Sequence, residues 1–159
     1  MSRDLAIAVL DAARARGEMI ATAESCTGGM VAAALTDIPG SSAVVERGFV
    51  TYTNAAKTEM LGVAETILAA HGAVSQEVAR AMANGALERS HAGLAVSITG
   101  IAGPGGSEFK PEGRVCFGLT QTGHDCLSET VEFGALGRDA VRAAARDHAL
   151  RLLHAALIA

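Results

Sequence analysis

Apolar positions in this chain recur with two periods, and the alternation between them predicts its elements. Over residues 2–16, Leu5, Ile7, Ala8, Val9 and Ala12 fall in an amphipathic helical pattern that Ser2 caps and Gly17 stops. A helix over about 138–158 has Val141, Ala145, Leu150, Leu153 and Leu157 available as its apolar face. Between these lie short runs that read as strands: 19–23, 43–52, the continuous apolar run 93–99, and 113–122 with 127–133 around a turn at Gly123-His124-Asp125. Helical stretches separate them over about 26–36, from Asn54 as cap to Leu61, over 64–70, and over 76–90 with Ser75 as cap. Strand and helix alternate and end in a hairpin and a helix. The predicted fold is therefore α/β, a three-layer α/β/α sandwich with a mixed, mostly parallel sheet, and residues 1–159 read as a single domain.

Composition narrows this further. Half of the 159 residues are apolar, yet there are four Phe, one Tyr and no Trp, so aliphatic side chains must build the core. Eighteen glycines are too many for a helical bundle. No apolar run approaches the roughly 20 residues that span a bilayer, and Met1-Ser2-Arg3-Asp4 lacks the layout of a leader. A cytoplasmic protein with no membrane contact is expected. The net charge of −4, without a Lys/Arg cluster or an aromatic platform, argues against nucleic acid as a partner. Cys26, Cys116 and Cys126 form no Cys-x-x-Cys pair and have no His at ligand spacing, so free thiols, no disulfide and no metal are expected. The Ala-rich last helix offers a second apolar face that a homo-oligomer would use.

Three strands end in polar or glycine-rich turns: at Glu24-Ser25-Cys26-Thr27-Gly28-Gly29, at Tyr52-Thr53-Asn54 with Lys57 just beyond, and at Thr99-Gly100 before Gly103-Pro104-Gly105-Gly106. If those ends share one edge of the sheet they build one site. A serine needs a base to become a nucleophile. His71, His91 and His124 lie at turns or helix ends, and His148 and His154 lie on the last helix. Of the two lysines, Lys57 and Lys110, the first sits just inside a helix start, where burial and the helix dipole would lower its pKa toward a useful base. Tyr52 would shuttle a proton or orient the amine. Gly28, Gly29 and the amides near Cys26 and Thr27 would hold an oxyanion, and Thr99 would add a hydroxyl. Each has a plainer reading. Ser25 taken alone reads first as an N-cap, Lys57 as a surface lysine, Tyr52 as a strand-end residue and Glu24 as a partner of helix amides. The glycine loop fits a tight turn without a ligand, and no Walker-type phosphate loop is present.

Taken together and in order, Glu24-Ser25-Cys26-Thr27-Gly28-Gly29, Tyr52-Thr53-Asn54-Ala55-Ala56-Lys57, Gly72-Ala73-Val74-Ser75 and Thr99-Gly100-Ile101-Ala102-Gly103-Pro104-Gly105-Gly106 resemble the C-terminal domain of the competence-damage-inducible CinA proteins. The likeness runs from about Leu5 to Leu157. It implies a nicotinamide-nucleotide amidase that needs no cofactor and hydrolyses the carboxamide of nicotinamide mononucleotide in pyridine-nucleotide salvage. It implies Ser25 as nucleophile, Lys57 as general base and Tyr52 as its assistant. Glu24, Cys26, Thr27, Gly28, Gly29, Asn54, Thr99, Gly100 and Gly103 are assigned to substrate binding. Arg138, ahead of Arg142, is placed to meet the substrate phosphate, although Gly134-Ala135-Leu136-Gly137 departs from the Pro-Gly-Asp-like segment of the family. Many members carry a further N-terminal domain of molybdopterin-binding type, so this chain resembles the stand-alone amidase. The rival from another class is a non-catalytic pyridine-nucleotide-binding or scaffold module linked to competence or DNA-damage responses.

Overall fold

The computed structural model describes residues 2–107 and 109–159; Met1, the first residue of the stretch without a leader pattern, lies outside them. In chain order the elements are α1 (Ser2–Arg16), β1 (Ile20–Glu24), α2 (Met30–Thr36), a short 3-10 turn (Ser41–Ala43), β2 (Val45–Val50), α3 (Asn54–Leu61), α4 (Glu65–His71), α5 (Gln76–Glu88), β3 (Leu94–Gly100), β4 (Arg114–Gln121), β5 (Leu127–Glu132) and α6 (Arg138–Ile158). The five strands form one sheet in the order β2-β1-β3-β4-β5. The β1–β2 and β1–β3 pairs are parallel and the other two antiparallel, so β4 alone runs against the rest. The sheet is mixed and mostly parallel in direction.

The side-chain period of two divides each central strand between two helical layers. On β3, Leu94, Val96 and Ile98 join Ile20 of β1 in a core shared with α1, α2 and α6. Ala95 joins Ala21 and Ala23 in the opposite core, against Leu61 of α3, Leu68 of α4 and Val78, Met82 and Ala86 of α5. Large residues thus face one layer and small ones the other. The small face lets α5 come close enough for Ser97 to donate its hydroxyl to the carbonyl of Ala79. No helix among the described residues is long and apolar enough to cross a membrane.

Close approach also fixes the position of α3, which carries Lys57. A Cβ on Gly85 of α5 would lie 2.0 Å from the carbonyl oxygen of Leu61, at the end of α3. Exchanging glycine for alanine inside a helix gains up to about 1 kcal/mol of propensity. Overlap with backbone costs more, about 1–3 kcal/mol or above. Gly85→Ala is therefore expected to lower the calorimetric unfolding midpoint by about 5 °C. A raised midpoint would mean that α3 yields without cost.

Candidate functional site

The chain leaves β1 toward α2 on one face, then returns from β2 to β3 through α3–α5 on the other. The carboxyl ends of β1, β2 and β3 therefore open together, where such sheets hold ligands. An open cleft of about 340 Å³ lies there. Its walls include Ser25 and Cys26, then Tyr52, Asn54 and Lys57, with Thr99, Gly100 and Gly103 from the glycine-rich rim and Arg138 from α6. The three strand ends singled out in the sequence do converge.

At its floor, Lys57 Nζ lies 3.1 Å from Ser25 Oγ in a buried hydrogen bond. The lysine is only 1% exposed and the serine 8%, so Lys57 is not a surface lysine. Its side chain reaches the serine because α3 starts immediately beyond β2. The N-cap of that helix is Thr53, whose hydroxyl accepts from the amide of Ala56 at 3.1 Å. Asn54, expected as the cap, is instead the first helical residue and faces the cleft. Lys57 Nζ also donates a hydrogen bond, at 3.3 Å, to the backbone carbonyl of Tyr52. The Tyr52 phenol lies elsewhere: it is hydrogen-bonded to Arg138 Nη2 at 2.7 Å. Tyr52 thus orients the amine with its main chain, while its ring belongs to the rim.

Ser25 is not a helix cap. The helix expected over 26–36 begins at Met30, with Gly29 as N-cap and no side-chain cap bond from that residue. Gly28 and Gly29 adopt φ of 58° and 105°, left-handed values that side chains rarely take, and they carry the chain through an extra turn before α2. Glu24 supplies the cap from a distance. Its carboxylate accepts from the amides of Val31 at 2.9 Å and Ala32 at 3.1 Å, and from the Thr27 hydroxyl at 2.6 Å. Alternation along β1 explains why Glu24 and Ser25 serve different faces: Ala21, Ala23 and then Ser25 point toward the α3 layer, and Glu24 toward α2.

Four residues assigned to substrate binding are not among those that line the cleft. Glu24 is fully buried, and it, Thr27, Gly28 and Gly29 stand behind the cleft rather than lining it. Among the proposed oxyanion donors, the Gly28 amide is engaged with the carbonyl of Ser25. The amides of Cys26 and Thr27 donate to no backbone carbonyl among the described residues, and of these two residues only Cys26 lines the cleft. Thr99 is at the wall, with its hydroxyl donated to the carbonyl of Ala73 at 2.8 Å. The Cys26 thiol is no rival nucleophile: burial pushes its pKa up to about 11.

The two arginines near the start of α6 divide their duties. Arg142 donates to the carbonyls of Cys26 at 3.0 Å and Thr27 at 3.3 Å and so braces the turn after Ser25 from behind. Arg138 lines the cleft, donating to the carbonyl of Gly103 at 2.7 Å as well as to Tyr52. Sequence reasoning missed Glu112, which ties the rim to α6, because a lone carboxylate before a strand has no local signature. It also gave Arg142 no bracing role. No cluster of three or more His, Cys, Asp or Glu among the described residues is placed to hold a metal ion.

An α/β/α sandwich with a serine–lysine pair at a strand end is the arrangement that comparison with known proteins must explain. The chain belongs to the CinA family: the model of the CinA C-terminal domain matches residues 2–157. It is 54% identical over 143 residues to the nicotinamide-nucleotide amidohydrolase PncC of Escherichia coli strain K12, a match covering 89% of this chain and 86% of that protein. A putative competence-damage inducible protein of Symbiobacterium thermophilum is 51% identical over 152 residues; that match covers 90% of this chain and 35% of the longer protein. Among solved structures, the competence/damage inducible protein CihA from Agrobacterium tumefaciens superposes with a TM-score of 0.95 at 48% identity, covering 99% of this chain and 96% of that one.

Proposed function

We propose that this chain is a nicotinamide-nucleotide amidohydrolase of pyridine-nucleotide salvage, with residues 1–159 as one amidase domain acting in the cytoplasm. It hydrolyses the carboxamide of nicotinamide mononucleotide to nicotinic acid mononucleotide and ammonia. The observation that carries the mechanism is the buried 3.1 Å contact between Lys57 Nζ and Ser25 Oγ at the floor of the cleft. The identity to PncC over most of both chains supports the substrate.

In this mechanism Lys57 acts as a neutral amine, the form able to accept a proton. It takes the Ser25 proton as Oγ attacks the carboxamide carbon and the carbonyl electron pair moves onto oxygen. The Cys26 amide donates to that oxyanion. The Lys57 ammonium then gives its proton to the departing nitrogen, the C–N bond breaks, and ammonia leaves an acyl-Ser25 ester. Water enters, Lys57 removes its proton, and hydroxide adds to the ester carbon. Collapse expels Ser25 Oγ, which recovers the proton from Lys57, and the nicotinate product is released. Both half-reactions balance with serine, lysine and water alone. Arg138 receives the phosphate, since its guanidinium has N–H donors beyond the two used on Gly103 and Tyr52.

The direct test mixes the purified chain with nicotinamide mononucleotide and follows ammonia enzymatically and the nucleotide by chromatography. One ammonia per nicotinic acid mononucleotide is the expected result. Binding without turnover across a pH range would overturn the amidase reading in favour of a nucleotide-binding module.

A further inference from the structure

The glycine-rich rim of the cleft is held by a side chain that does not itself line the cleft. Glu112 lies after the rim and before β4, and it is half-buried. Its two carboxylate oxygens serve different segments. Oε1 accepts from the amide of Gly105 at 2.7 Å, on the rim, and Oε2 accepts from the amide of Gly137 at 2.9 Å, the N-cap of α6. The next residue is Arg138, which donates back to the rim at Gly103 and across to Tyr52. Rim, Glu112, α6 start and Arg138 therefore form a closed circuit of hydrogen bonds. The backbone is shaped around it: Gly103 has φ of +93°, and a Cβ there would lie 2.5 Å from Glu112 Cδ.

We infer that Glu112 is a positioning residue that holds Arg138 and the Gly103–Gly105 backbone at the spacing a phosphate-bearing substrate requires, setting substrate capture rather than the chemical step. This rests on the amidase reading above. A carboxylate suits the task because both its oxygens accept, each from a different amide, and an ionised acceptor makes the stronger hydrogen bond. A glutamine in its place keeps one acceptor and loses the charge. The other end of the rim has its own tether, since Lys110 Nζ donates to the carbonyls of His71 and Val74. Loss of Glu112 thus releases the Arg138 side alone.

The test compares Glu112→Ala and Glu112→Gln with the parent chain. Glu112→Ala is expected to raise KM for nicotinamide mononucleotide about 10-fold with kcat within about threefold, and Glu112→Gln to fall between it and the parent. Nicotinamide riboside lacks the phosphate, so its turnover should change little, and the preference for the nucleotide over the riboside should drop by the same factor. In an Arg138→Ala background, Glu112→Ala should add almost nothing, because both act through one interaction. Hydrogen exchange at the Gly105 and Gly137 amides should quicken in Glu112→Ala. An unchanged KM, or equal losses on nucleotide and riboside, overturns the inference. If the parent releases no ammonia, the amidase reading fails on its own, and calorimetric titration with nicotinamide mononucleotide decides the role of Glu112. Weaker binding by Glu112→Ala supports it; equal binding, or none by either chain, overturns it.

Discussion

Ser25→Ala is expected to slow ammonia release from nicotinamide mononucleotide by about 10⁴-fold or more, the scale seen when a covalent nucleophile is removed. The thermal midpoint should move by no more than about 3 °C, because the change deletes one oxygen, leaves no cavity the size of a methyl group and disturbs no helix cap. That last point follows from the structure: Glu24 caps α2, and Ser25 does not. Had Ser25 been the cap, its loss would have cost about 1 kcal/mol of stability and blurred the kinetic result. Steady-state kinetics and calorimetry on one preparation separate the two effects. Ammonia release within tenfold of the parent, at unchanged stability, would remove Ser25 from the chemistry. KM should stay close to the parent value, since Arg138 and the rim bind the nucleotide in the proposed mechanism.

The layered fold was legible from helical periodicity at the two ends of the chain and from short apolar runs bounded by turns between them. The bounds of α1 and α6 match the predicted helices, and β1, β3, β4 and β5 fall within one residue of the predicted strands. α1 and α6 each bury one helical face, β1 and β3 are buried along nearly their whole length and so read as continuous apolar runs, and β5, which buries no residue fully, was found from the turn that joins it to β4. The turn after Ser25 was misread because two glycines with left-handed backbone detach the helix from the strand end, and its cap arrives from a side chain seven and eight residues away from the amides it serves. Neighbouring Thr53 and Asn54 are both good caps, and only the extended backbone at Thr53, φ −90° and ψ 162°, selects between them. The convergence of three strand ends was legible from the topology rules. The direction of each side chain was not. Glu24 and Ser25 are adjacent in sequence and lie on opposite faces of the sheet. Tyr52 holds Lys57 by its carbonyl rather than its phenol, and a backbone contact leaves no trace in residue type.

Lys57→Ala is expected to be as damaging as Ser25→Ala, and it supplies the sharper test because its defect can be repaired. The side chain is 1% exposed and among the largest fully buried ones, so truncation leaves a channel-shaped void leading from α3 to Ser25. A small primary amine such as methylamine or ethylamine fits that space and carries the missing nitrogen. Turnover by Lys57→Ala should therefore rise with amine concentration, and should do so more at higher pH, where more of the added amine is neutral. The sign distinguishes base from electrostatic partner: a general base must arrive unprotonated, whereas a cation that only steadies charge would rescue best at lower pH. Lys57→Arg should remain inactive with or without added amine. A guanidinium stays protonated throughout the working range and cannot accept the serine proton. If Lys57→Arg retained more than about a tenth of the parent rate, proton transfer to residue 57 would be excluded, and Ser25 would need another base. None of the five histidines lines the cleft to take over that role. Rescue of Lys57→Ala by amines, combined with silence from Ser25→Ala under the same conditions, assigns the nucleophile and the base separately.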